Sequence, residues 1–150
     1  MTLQEAYNFF KNLKSQTTKK SEIKIHEKFL DIISGLKNRD FSRDEIKAIE
    51  TELESLNLKS NPENRKKYFK KALSKFEKYL KDTFSLTIKR YYTELGIALG
   101  ASFGILFGVV FLSSWERSLG ISLGLIVGSG IGGAIGRSMD SQAKTAGKML

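Results

Sequence analysis

Residues 95–112 read LGIALGASFGILFGVVFL, and residues 119–136 read LGISLGLIVGSGIGGAIG. Neither stretch contains a charged side chain, and the reading of this pair decides the fold. Each is 18 residues long. As a helix rising about 1.5 Å per residue it spans roughly 27 Å, close to the ~30 Å hydrocarbon core of a bilayer. The six residues between them, Ser113 to Ser118, suit a tight turn between antiparallel neighbours. The expected element is therefore a hairpin of two transmembrane helices. A mean hydropathy of −0.25 conceals it, because that figure averages two unlike halves of the chain.

The glycines are the most specific feature of the pair. Gly96, Gly100, Gly104 and Gly108 recur every four residues in the first stretch, and Gly120, Gly124, Gly128, Gly132 and Gly136 do so in the second. In water each would cost a helix about 1 kcal/mol against alanine. In lipid the backbone must bond internally, so helix persists, and a glycine face lets two backbones approach closely. These nine glycines are the predicted helix-packing residues. The second stretch also carries Ser122, Ser129, Gly130, Gly133 and Ala134 off the main stripe, whereas the first offers Leu99, Phe103, Leu106, Val110 and Phe111 to lipid. The second helix is thus expected to be surrounded by protein, in a homo-oligomer or a larger membrane complex.

Through these two glycine series, the region from about residue 91 to residue 140 resembles the bacterial glycine-zipper two-helix membrane proteins. That group includes oligomeric scaffolds, small secretion-linked proteins and pore-forming antibacterial toxins. The resemblance therefore implies assembly in the bilayer rather than one activity. It does not extend to the first 90 residues.

Charge is as uneven as hydropathy. Of the net +9, residues 65–90 alone carry +8, directly before the first apolar stretch. Lys78, Lys81, Lys89 and Arg90 precede the first span and Arg137, Lys144 and Lys148 follow the second, while the turn holds only Arg117 beside Glu116. Under the positive-inside rule both termini face the cytoplasm, which places the chain in a cytoplasmic (inner) cell membrane. Tyr91 and Tyr92 at one end and Trp115 at the other are the expected interface anchors. Arg65, Lys66, Lys67, Lys70, Lys71, Lys75, Lys78, Lys81, Lys89 and Arg90 are the candidates for binding anionic lipid headgroups, at up to ~1 kcal/mol each near the surface. Tyr68, Phe69, Phe76 and Tyr79 interleave with them as in a nucleic-acid surface, but the position at a membrane entry disfavours nucleic acid as a partner.

The N-terminal part reads as short amphipathic helices. Thr2 with Glu5 fits a capping box ahead of Leu3, Ala6, Phe10 and Leu13. Ile25, Phe29, Ile32, Ile33 and Leu36 form a second stripe, ended by Gly35, Asn38 and Asp40. Ser42 with Glu45 is a second capping box, with Phe41 and Ile46 as its staple and Ile46, Ile49, Leu53 and Leu56 as the buried row. Asn61-Pro62 signals a further helix with proline at its first position, carrying Phe69, Leu73, Phe76 and Leu80. The predicted organisation is a soluble three-helix region over residues 1–60 and a basic juxtamembrane helix over 61–92. The hairpin follows over 93–137, then a short cytoplasmic tail over 138–150. The fold class is all-α, a small N-terminal helical domain plus the glycine-zipper hairpin.

No residues assemble into a catalytic constellation. The chain has no cysteine, and its one histidine, His26, cannot anchor an ordinary zinc site alone. Asp44, Glu45, Glu50, Glu52 and Glu54 lack the glycine-turned loop of an EF-hand. The glycines of 128–133 lack the lysine of a phosphate loop. Glu94 and Arg137 end the two spans and are expected to meet as an ion pair, or in an oligomer as a charged ring at a pore mouth. The expected function is non-enzymatic, with no metal or cofactor. It is a membrane scaffold or accessory subunit whose N-terminal domain binds a cytoplasmic protein. The alternative is a channel subunit or a membrane-permeabilising toxin or defence effector.

Overall fold

Side-chain caps set three of the four helix starts before residue 86. The computed structural model describes residues 1–60, 63–111 and 117–150. It divides into two units, Met1–Leu86 with Leu150, and Thr87–Met149. The first unit holds α1 (Leu3–Gln16), α2 (Lys20–Lys37), α3 (Arg43–Ser55) and α4 (Arg65–Phe84). Both capping boxes form, Thr2 with Glu5 and Ser42 with Glu45. The backbone N–H groups of Thr2 and Ser42, donating to the two carboxylates, hold Glu5 and Glu45 below the usual glutamate range.

α4 starts later than the Asn61-Pro62 signal suggests. Asn64 is its cap, the side-chain oxygen accepting from the Lys67 N–H at 3.1 Å. That oxygen satisfies one of the N–H donors that the first turn of a helix leaves without an intrahelical acceptor. Pro62 itself lies outside the described residues, as do Trp115 and the turn from Ser113 to Glu116. The helix stops at Ser85, which takes the left-handed conformation with φ 55°.

The core of this unit is aromatic. Phe10 of α1 stacks on Phe29 of α2 with ring centroids 4.0 Å apart, and Phe69 of α4 meets Phe10 edge-on at 6.0 Å. Such pairs add about 1 kcal/mol each beyond the area they bury. Leu3, Ala6 and Leu13, Ile25 to Leu36 on α2, Ile49 and Leu53 on α3, and Leu73, Phe76 and Leu80 on α4 close the core around them. The Tyr68 hydroxyl, within 2.9 Å of the Leu56 and Asn57 carbonyls, ties the start of α4 to the end of α3.

The second unit holds α5 (Tyr91–Phe111) and α6 (Arg117–Thr145), each long and apolar enough to cross a membrane. They run antiparallel, with Gly96 opposite Gly132, Gly100 opposite Gly128, Gly104 opposite Gly124 and Gly108 opposite Gly120. α6 does not stop at Gly136. The residues expected as a tail continue the helix to Thr145, and Gly147 at φ 68° then closes it. The Lys148 N–H donates to the Ala143 carbonyl at 2.9 Å and the Gly147 N–H to Lys144 at 3.0 Å, the Schellman pattern that favours glycine there. The strand-like residue that follows returns to the start of the unit, where the Thr87 N–H donates to the Lys148 carbonyl at 2.8 Å.

The two units are built on opposite polarity. In the first, large apolar side chains are inside. In the second, the buried described residues are glycines, Thr87, Thr93 and Asp140. All sixteen exposed large hydrophobic residues described in the chain lie on α5 or α6, with Val110 68%, Ile126 66% and Phe107 64% exposed.

Candidate functional site

The seam between α5 and α6 works only with glycine. A Cβ added at Gly96, Gly100, Gly104 or Gly108 would lie closer than 3.0 Å to the carbonyl oxygen of the glycine opposite, a separation real Cβ atoms essentially never show. The obstacle is backbone, which has no rotamer to yield. At Gly136 the same clash arises with the Tyr92 carbonyl, so the close approach runs to the start of α5. Gly130 differs, with open space around it, and Gly133 meets only the Ile97 side chain.

Along one flank of the seam runs a groove of about 740 Å³. Its floor is glycine. Leu95, Leu99, Phe103 and Phe107, each one residue before a seam glycine of α5, form one wall. Leu123, Val127, Ile131 and Ile135 hold the matching places on α6. The repeat of four that aligns the glycines thus aligns the walls.

Chemistry concentrates where α5 begins and α6 ends. The residue preceding α5 is Arg90, which has no side-chain acceptor for the exposed N–H groups of the first turn. Asp140 of α6 supplies one. Its Oδ1 accepts from the Tyr92 N–H at 3.0 Å, and its Oδ2 accepts from the Thr93 N–H at 3.0 Å and the Thr93 hydroxyl at 2.6 Å. A carboxylate at a helix N-terminus is also favoured by the helix dipole. Asp140 thus joins the two helices, and the Glu94–Arg137 ion pair expected from the sequence does not form among the described residues. Arg137 is exposed and makes no ion pair among the described residues. Asp140 was legible only as the one acidic residue after the second apolar stretch.

Around this cap lies a second cavity, of about 520 Å³, lined by Lys89, Arg90, Arg137, Lys144, Ser141 and Thr93 among others. Lys89 and Arg90 are thus brought together with Arg137 and Lys144 of α6. Tyr91 and Tyr92 are half-buried beside it, their rings edge-on at 5.1 Å.

The remaining basic candidates lie on α4. Arg65, Lys66, Lys67, Lys70, Lys71, Lys75 and Lys78 are exposed, and Lys75 pairs with Glu52 at 3.4 Å. Lys81 is half-buried. The aromatic residues between them are occupied by packing. Phe69 and Phe76 are buried, the Tyr68 hydroxyl is bonded to backbone, and Tyr79 is edge-on to Phe84 at 6.0 Å.

His26 is 2% exposed between Phe10 and Phe69, at ring distances of 6.0 and 5.5 Å, and neither ring nitrogen has a hydrogen-bond partner. Burial holds its pKa below the ordinary 6.5, Arg65 acts in the same direction, and Glu22 opposes them. The folded state therefore binds this proton less readily than the unfolded state. The His26 contribution is fully present above about pH 6.5 and is lost as pH falls below it toward the depressed folded value. Exchange protection of α2 amides is expected to drop between about pH 7 and about pH 5. His26→Leu should flatten that drop, and an unchanged slope would show that another group titrates.

No protein-family model matches the chain, and neither a curated protein nor a solved structure shows significant similarity to it.

Proposed function

We propose that the chain is a non-enzymatic integral membrane scaffold or accessory subunit, with α5 and α6 spanning the bilayer as a glycine zipper and α1–α4 forming a cytoplasmic interaction domain. One observation carries the reading. The second unit buries glycine and polar side chains while exposing sixteen large apolar ones along two spans of membrane length. Soluble monomers rarely leave apolar patches beyond about 300–600 Å² uncovered, and lipid is the solvent that makes this arrangement favourable. The basic excess before α5 and after α6 supports an inner-membrane location with both termini cytoplasmic.

The zipper is consumed within one hairpin, because its glycines already face each other. Assembly into a homo-oligomer or larger complex would then use the flanks, where the groove and the open surface at Gly130 lie. The absence of cysteine makes topology directly testable. Ser118→Cys is expected to react with an impermeant maleimide in intact cells, and Gln142→Cys only after permeabilisation, with the full chain resisting alkaline extraction. Release into the soluble fraction would overturn the membrane reading, and reversed labelling would overturn the orientation.

A further inference from the structure

We propose that the cavity at the junction of α5 and α6 is a binding site for a phosphate group, presented by an anionic lipid headgroup. The cations converge from separate parts of the chain. Lys89 and Arg90 come from the segment before α5, and Arg137 and Lys144 from the last turns of α6. Arg137, Ser141 and Lys144 follow i, i+4, i+7 spacing, so one helix face presents two cations with a hydroxyl between them. None of the four basic side chains has an ion-pair partner among the described residues. Gathering four like charges in one cavity is unfavourable until a counter-charge enters.

Asp140 in the same cavity offsets one of these four charges and leaves an excess of three. Both of its oxygens are already engaged by the Tyr92 and Thr93 donors. The backbone at Arg90 points the same way. It holds φ 67°, a left-handed conformation in which arginine is disfavoured and glycine or asparagine would be easier. Two guanidinium groups, with planar fork-shaped donors, match phosphate oxygens better than a diffuse lysine face does. Position selects the ligand's source. The cavity sits where the charge-free stretch of α6 ends, level with Tyr91 and Tyr92, which is headgroup depth if the hairpin spans the bilayer. The lipid source rests on the membrane reading, whereas the phosphate chemistry does not.

The test uses the full chain in a neutral detergent, with lipid retention read by native mass spectrometry. Phosphatidylglycerol is expected to be retained about tenfold over phosphatidylcholine, and Arg137→Gln with Lys144→Gln is expected to lower that retention about tenfold. Lys70→Gln with Lys71→Gln removes the same charge from α4 and should leave retention unchanged. Equal loss in both pairs would overturn the site in favour of general electrostatics, as would no loss in the first pair. Inorganic phosphate competing through Arg137 and Lys144 as strongly as the lipid does would keep the phosphate site and overturn its lipid source. Hydrogen exchange of the α5 amides verifies that the variants keep the hairpin. Alkaline extraction of the wild type reports separately on the membrane reading.

Discussion

Gly104→Leu is expected to force α5 and α6 apart over most of their length. A Cβ at this position would meet the carbonyl oxygen and carbon of Gly124 and come within 3.0 Å of the Gly128 Cα. All three obstacles are backbone, so only separation of the helices relieves the overlap. Separation also breaks the flanking contacts of Gly100 with Gly128 and of Gly108 with Gly120. Dispersion between closely packed backbones falls steeply with distance, and the loss should reach about 3 kcal/mol or more. Leu99→Cys with Ile131→Cys, on opposite walls of the groove, lets a short bifunctional thiol reagent report the separation in a chain otherwise free of cysteine. The crosslink should form in the parent and fall several-fold with Gly104→Leu. Gly130→Leu is the control, since its Cβ would enter open space. Equal crosslinking in both variants would show that the seam does not hold the hairpin.

Why this seam was legible in the sequence, and its polar end was not, is a matter of distance along the chain. A repeat of four in each apolar stretch fixes which face packs, and antiparallel pairing of the two repeats fixes the register. The Thr2–Glu5 and Ser42–Glu45 boxes were equally readable because each bond spans three residues. The Asp140 bonds span 47 and 48 residues. Nothing local to Tyr92 or Thr93 announces them, except that Arg90 is a poor cap. The antiparallel pairing already brings Arg137 to the start of the first span, but the hairpin pattern does not show that Arg137 and Lys144 share one cavity with Lys89 and Arg90. Residue size also gave an incomplete picture of α6. Its small residues suggested a helix with few large faces, yet α6 exposes eight large apolar side chains, as many as α5. Leu123, Val127, Ile131 and Ile135 repeat every four residues, and beside the glycine series they went unread as a wall.

Removing the carboxylate of Asp140 should loosen the end of the hairpin while leaving its middle closed. In Asp140→Ala the N–H groups of Tyr92 and Thr93 and the Thr93 hydroxyl all lose their acceptor. Thr93 is 3% exposed, so water cannot readily replace it. Buried donors left unpaired cost about 1–3 kcal/mol each, and an N-cap alone is worth about 1 kcal/mol. The first turn of α5 is therefore expected to fray by about 2–4 kcal/mol. Asp140→Asn keeps one acceptor oxygen but loses the charge that the helix dipole favours, and its effect should be about half as large. Amide exchange orders the three proteins, with Tyr92 and Thr93 slowest in the wild type, intermediate in Asp140→Asn and fastest in Asp140→Ala. The Leu99–Ile131 crosslink should persist throughout, because the seam glycines between those positions are untouched. That contrast separates the two devices. The glycines set how close the helices come, and Asp140 fixes where α5 begins against α6. If crosslink and end protection fell together, hairpin closure would depend on the cap, and the seam would be its consequence.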